Sequence, residues 1–170
     1  MIPDPSHSLE EHYLHVVIEK FLELKQSAER TFEQLNSDDW NWSYNADSNS
    51  IAVIVKHMSG NMISRWTDFL TTNGEKPNRN RDEEFENELM SEEMLLEVWN
   101  RGWEVFLNTL RTLAPQDLLS TVFIREQPHS VMEAIERQMS HYSYHVGQIV
   151  YVAKLRKSDD WKSLTIPRKK

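Results

Sequence analysis

Four long stretches of this chain repeat apolar residues at helical spacing, and this periodicity limits its fold more than any other feature. The predicted helices run from about Ser8 to Leu35, Ser50 to Leu70, Ser91 to Leu113 and Ser130 to Lys157. Each helix has one apolar face, and packing the four together buries all four faces at once. The sequence therefore predicts an all-α protein, a four-helix bundle, with residues 1–170 forming a single domain.

The segments between the predicted helices differ in character. Residues 36–49 are polar except around Trp40 and Trp42, whose alternation predicts a short extended segment. Residues 71–90 are rich in Asn and charge, and connections of this length are often functional or mobile. Residues 121–124 favour a short strand or extended link. Because two connections are long, we expect crossover connections rather than a simple up-down-up-down bundle.

Composition and charge exclude several classes of function. The chain has no cysteine, which rules out disulfides, thiolate zinc sites and a cysteine nucleophile of its own. A formal net charge of −8 disfavours nucleic acid as the main partner, because phosphates are repelled. No apolar run approaches the roughly 18 residues of a membrane span, and the N-terminus lacks a signal-peptide core. We expect a cytoplasmic protein without a membrane partner.

Three histidines lie beside apolar stripes in two of the predicted helices. His141 and His145 are four residues apart, so their side chains share one helix face about one turn apart. That spacing suits two imidazoles on one metal ion, and His57 has the same relation to the stripe of the second predicted helix. Spacing alone leaves open a second interpretation, in which these are core histidines that are hydrogen-bonded within the protein.

Four polar residues near these histidines also carry two interpretations each. Asn61, Gln138 and Gln148 could orient histidine ligands, or they could simply lie at the edge of the bundle. Arg65 could contact an anionic substrate, or it could form a salt bridge with Asp68 or a carboxylate of the 71–90 connection.

A rival group of candidate ligands lies on the first predicted helix. His12, His15 and Glu19 follow i, i+3, i+7 spacing, which places them on one face. Acidic Glu10 and Glu11 flank this group, so we interpret the face as solvated rather than as a metal site.

A histidine early in the second helix, followed by HxxxH in the last long helix, resembles the DinB/YfiT-like superfamily of metalloenzymes. The matching residues are His57 in KHMSGN, and His141 and His145 in QMSHYSYHVGQIVYVAKL. The resemblance covers nearly the whole chain, and residues 65–86 are similar to one little-characterised branch. It implies a bundle with crossover connections, frequent homodimers, and a divalent metal ion (nickel, zinc, manganese or iron) on His57, His141 and His145. Their nearest nitrogens should then lie about 3–4 Å apart, as metal–nitrogen bonds of about 2.0–2.1 Å require.

The resemblance also implies a kind of chemistry. Better-understood members transfer groups to or from low-molecular-weight thiols such as bacillithiol, or use mycothiol in an isomerisation. Three neutral imidazoles leave open coordination positions on a metal ion, which can lower the pKa of a bound water or thiol. We therefore expect a metal-dependent transferase or hydrolase that takes its thiol from a cosubstrate and acts on an electrophile. The alternative is a non-catalytic helical dimer whose metal site is structural or vestigial.

Overall fold

A computed structural model of the chain describes residues 8–86 and 88–166. In that part of the chain the protein is mostly helical, with five α-helices and a single two-stranded sheet. The α-helices are α1 (Leu9–Phe32), α2 (Ser37–Trp40), α3 (Ile51–Trp66), α4 (Glu92–Thr112) and α5 (Val131–Lys157), and the strands are β1 (Thr121–Ile124) and β2 (Gln127–Ser130). Among the described residues, no helix combines the length and apolar character needed to cross a bilayer.

The four long helices all begin where the sequence predicts, at serine N-caps. Each serine has extended backbone, and its hydroxyl accepts a hydrogen bond from the third amide of the helix; these residues are Ser8, Ser50, Ser91 and Ser130. Such a cap typically stabilises a helix by about 1 kcal/mol. At Ser8 and Ser130 the glutamate three residues on completes a capping box, because its carboxylate accepts the serine N–H.

Two sequence predictions about local secondary structure are wrong. The second predicted helix ends at Trp66 rather than Leu70, because Thr67 leaves the helical region and Asp68 adopts a φ of 50°. Trp40 lies at the end of α2, not in an extended segment. The Asp39 carboxylate accepts the Asn36 N–H at 2.9 Å and closes this short turn, which alternation of the tryptophans could not reveal.

The predicted strand at residues 121–124 is confirmed, but its partner was not foreseen. β1 pairs with β2 in antiparallel register, from Thr121 opposite Ser130 to Ile124 opposite Gln127. Arg125 and Glu126 join them with φ of 51° and 62°. The second strand contains Pro128 and ends in a helix cap, so its sequence gives little strand signal.

The long helices pack around a shared hydrophobic core. α3 packs on α4 and α5, and α1 packs on α5 and α4. The centre is aromatic, with Phe106 edge-on to the rings of Phe21, Trp66 and Tyr142 at 4.5–5.3 Å between centroids. Gly102 lets α3 and α4 approach closely, since a Cβ there would lie 2.8 Å from the Cα of Ser59.

This packing places the histidines of α3 opposite those of α5, and the 71–90 connection crosses beside them. The connection is anchored at two points before it reaches the short 3₁₀ turn at Glu83–Phe85. The Lys76 N–H donates to the Ser64 hydroxyl on α3 at 3.0 Å, and the Gly74 N–H donates to the Phe123 carbonyl on β1 at 2.8 Å.

Candidate metal centre

The three histidines singled out in the sequence come together between α3 and α5. Nε2 of His141 lies 3.4 Å from Nε2 of His57 and 3.0 Å from Nε2 of His145. When one nitrogen atom is taken from each ring, the three atoms all lie within 4.8 Å of one another. Two nitrogens on one tetrahedral ion, each about 2.0–2.1 Å from it, are about 3.4 Å apart. The predicted convergence is confirmed, and the spacing fits a single metal ion.

Two of the three rings are held with Nε2 free to act as a ligand. Nδ1 of His57 lies 3.0 Å from Oε2 of Glu84, and Nδ1 of His145 lies 2.8 Å from Oε1 of Gln148. Both partner atoms are acceptors, so Nδ1 carries the proton and Nε2 presents its lone pair. Partners of this kind fix the orientation of histidine ligands in metal sites.

His141 has a different partner. The side-chain amide N–H of Gln138 donates to Asn61 at 3.0 Å and faces Nδ1 of His141 at 2.9 Å. In this arrangement Nδ1 accepts, so the ring carries its proton on Nε2 and donates it to a neighbouring histidine. Ligation through Nε2 of His141 therefore requires this proton to move to Nδ1 as the Gln138 amide turns.

Burial keeps two histidines of the cluster, His141 and His145, in their neutral form. Burial lowers the pKa of His141 to about 3, assisted by the neighbouring histidines and by Arg65. Burial also lowers the pKa of His145, against the hydrogen bond with Gln148 that raises it. Neutral imidazole is the form that binds metal ions, so protons compete weakly at these two residues.

Sequence reasoning missed the carboxylate that supports His57. Glu84 belongs to the 71–90 connection, and its carboxylate also receives two hydrogen bonds from Arg79, at 2.7 and 2.8 Å. Burial alone would raise the pKa of Glu84, but the bonds with His57 and Arg79 outweigh it and the pKa is lowered. A Cβ on Gly60 would lie 2.1 Å from Oε1 of Glu84, so glycine admits this carboxylate against α3.

The structure shows which residues Asn61 and Arg65 contact. Asn61 accepts hydrogen bonds from Gln138 and from the buried Tyr142 hydroxyl, and both contacts tie α3 to α5. Arg65 is buried and contacts Gln138. Among the described residues it forms no salt bridge, either with Asp68 or with a carboxylate of the 71–90 connection.

The rival group on α1 does not form a cluster. His15 and Glu19 are exposed and His12 is half-buried, as expected for a largely solvated face. Within residues 8–86 and 88–166, the histidines at 57, 141 and 145 make up the one group of three or more histidines and carboxylates close enough to share an ion.

The fold and this cluster define a mostly helical protein with a three-histidine site that could hold a metal ion. The chain belongs to the family described as "Protein of unknown function (DUF1572)", whose family model matches residues 8–170. No curated protein and no solved structure gives a significant match to the chain.

Proposed function

We propose that the chain is a divalent-metal-dependent enzyme whose ion is bound by His57, His141 and His145. The observation that supports this most directly is the ligand count. The described residues contribute three imidazoles and no fourth histidine or carboxylate to the cluster. Structural metal sites are usually closed by four protein ligands, whereas catalytic sites keep a position for water or substrate.

The proposal extends to the architecture. We assign the chain to the DinB/YfiT-like superfamily, as a single-domain four-helix bundle with crossover connections. The ring of contacts among α1, α5, α3 and α4 supports this assignment, as do the long 67–91 and 113–130 connections. A cytoplasmic location and a homodimer are part of the same proposal, the homodimer because the resemblance implies frequent homodimers.

The chain's own residues would prepare the site in three ways. Glu84 and Gln148 orient two of the histidine rings, and burial keeps His141 and His145 neutral. A cavity of about 470 Å³ is lined by His57 and His141, so a small molecule can reach the cluster. A divalent cation held by these histidines would supply Lewis acidity and would favour the ionised form of a nucleophile beside it.

We propose that the nucleophile is a low-molecular-weight thiol such as bacillithiol, and that the reaction transfers a group between this thiol and an electrophile. The chain has no cysteine, so an attacking sulfur would have to come from a cosubstrate. Hydrolysis, with water in place of the thiol, is the second reaction that the same site would support.

The test begins with untagged protein, analysed for nickel, zinc, manganese and iron. Protein loaded with each metal is then assayed for thiol-dependent loss of an electrophile, with His145→Ala as the variant that lacks a ligand. The matched control is His12→Ala, a half-buried histidine outside the cluster. We expect metal-dependent turnover in the wild type and in His12→Ala, and none in His145→Ala.

The alternative function is a non-catalytic helical dimer with a structural or vestigial metal site. It predicts that metal raises the melting temperature while no thiol or water reaction depends on it. Metal-dependent stability without turnover for any thiol or electrophile tested would favour this alternative.

A further inference from the structure

The cavity beside the histidine cluster is strongly cationic. Its described lining contains no carboxylate, although the chain as a whole has a net charge of −8. Five arginines contribute to the wall, namely Arg65, Arg79, Arg81, Arg125 and Arg137. Against an acidic background, this concentration of positive charge marks the cavity as a place for an anion.

The arginines differ in whether the protein neutralises them. Arg79 binds the Glu84 carboxylate at 2.7 Å, and Arg125 lies 3.2 Å from a Glu75 carboxylate oxygen. Arg65 and Arg137 form no salt bridge with any described residue. Arg137 is exposed and can be solvated, so it needs no partner.

Arg65 is the exception that requires an explanation, because its side chain is buried. The residue is 5% exposed, its Nε has no hydrogen-bond partner, and Nη1 makes a single long contact of 3.5 Å to Gln138. Buried charges in proteins are normally paired and hydrogen-bonded, since leaving one unpaired is costly. An anion in the cavity would supply the missing partner.

The position of Arg65 links this anion to the metal cluster. Gln138 contacts Arg65 through its carbonyl oxygen and His141 through its amide nitrogen. One side chain therefore separates the unpaired guanidinium from a candidate metal ligand, and Arg65 and His141 face the same cavity.

We propose that Arg65 binds the carboxylate or phosphate group of a small molecule that occupies this cavity beside the three histidines. The planar guanidinium fork matches the paired oxygens of either group. A volume of about 470 Å³ suits a small metabolite rather than a macromolecular chain. That this molecule is the substrate rests on the proposed function, whereas the anion site itself does not.

The test measures binding to the full-length, metal-free protein by calorimetry. The probes are inorganic phosphate and succinate, with succinamide as the uncharged control. The variants are Arg65→Met, which removes the charge at similar volume, and Arg65→Lys, which keeps a charge but loses the fork. The control variant is Arg101→Met, an exposed arginine of α4 outside the cavity.

We expect wild type and Arg101→Met to bind at least one anion and not succinamide. Arg65→Met should bind about 10- to 100-fold more weakly, as expected when charge-assisted hydrogen bonds are lost. Arg65→Lys should fall between them. The stronger of phosphate and succinate in the wild type identifies which anionic group the ligand carries.

Equal affinity in wild type and Arg65→Met, or no binding of either anion to the wild type, would overturn the proposal. If Arg65→Met does not fold, equal affinity in wild type and Arg65→Lys would do the same. Titrations of the same proteins with zinc, nickel, manganese and iron separate the two proposals. Anion binding without binding of any of these metals contradicts the proposed function but not the anion site, and metal binding without anion binding contradicts only the anion site.

Discussion

Among the described residues, two polar clusters lie around buried side chains, and only the one around Asp39 is complete within the chain. The Asp39 carboxylate, on a residue 2% exposed, accepts from Arg156 at 2.8 Å, Lys157 at 3.2 Å and the Asn36 N–H at 2.9 Å. In the histidine cluster, three Nε2 atoms face one another and Arg65 nearby has an unpaired Nε. A complete cluster stabilises the fold, whereas an incomplete one points to a ligand.

The largest effect on stability is expected from Asp39→Ala. It removes two charge-assisted hydrogen bonds and the carboxylate that closes α2, so the free energy of unfolding should fall by about 2–3 kcal/mol. Metal affinity should stay unchanged, because no residue of the histidine cluster contacts Asp39. Urea unfolding and zinc titration check both parts, with the exposed neighbour Asp38→Ala as control. A loss of metal affinity in Asp39→Ala would show that the clusters are coupled.

Glu84→Gln, unlike Asp39→Ala, should weaken metal binding. It keeps the shape of the side chain but removes the negative charge opposite Nδ1 of His57, so metal affinity should fall about 10- to 100-fold. The free energy of unfolding of the metal-free protein should fall as well, because the buried Arg79 guanidinium loses its carboxylate partner. Calorimetric zinc titration measures the effect, with exposed Glu83→Gln as the matched control. Equal affinities in the two variants would mean that Glu84 does not support the metal site.

Lowering the pH should remove the stabilisation from His141 and from Asp39 over different pH ranges. The pKa of His141 is lowered from 6.5 to about 3 in the folded protein, so the unfolded chain binds this proton first. Stability of the metal-free protein should therefore be lost as pH falls from about 6.5 towards 3, at no more than about 1.4 kcal/mol per pH unit.

The contribution of Asp39 to stability is lost over a lower pH range. Burial acts to raise the pKa of Asp39, but its hydrogen bonds outweigh burial and hold the pKa below 3.8. Its stabilisation is present above 3.8 and is lost only as pH falls through the folded pKa. Urea unfolding at a series of pH values, with His141→Gln as comparison, checks the assignment. The loss between pH 6.5 and 4 should be smaller in His141→Gln, and an unchanged loss would contradict it.

The smallest effect is expected from Arg65→Met without ligands. Replacing a buried unpaired charge with an apolar side chain of similar volume should leave the free energy of unfolding within about 1 kcal/mol of the wild type, or raise it. The change would then be clearly smaller than the loss in Asp39→Ala. Urea unfolding beside Arg101→Met measures it, and a loss as large as that of Asp39→Ala would mean that Arg65 is paired within the fold.

The sequence predicts the parts of the site that depend on local geometry. The i, i+4 spacing is enough to place His141 and His145 together once their helix is recognised. The serine caps likewise locate all four long helices. That His57 faces this pair is a tertiary fact, and it was expected from the family resemblance rather than from spacing.

The parts that depend on distant chain segments could not be predicted. Glu84 lies 27 residues from His57, in a stretch with several other acidic residues, and nothing in its neighbourhood distinguishes it. The unpaired state of Arg65 is an absence of partners, which only the packed structure shows. The same is true of Asp39, whose partners lie 117 and 118 residues away on α5.

The central claim is that His57, His141 and His145 bind one metal ion, and metal-dependent melting of His145→Ala tests it most directly. The protein is chelated, dialysed and melted with and without excess zinc or nickel, alongside wild type and His12→Ala. A bound ion stabilises the folded state by mass action, about 2.7 kcal/mol when its free concentration is 100 times the dissociation constant. Metal should therefore raise the melting temperature of the wild type and of His12→Ala, and leave that of His145→Ala unchanged while its helical signal persists. Equal shifts in wild type and His145→Ala would contradict the metal centre.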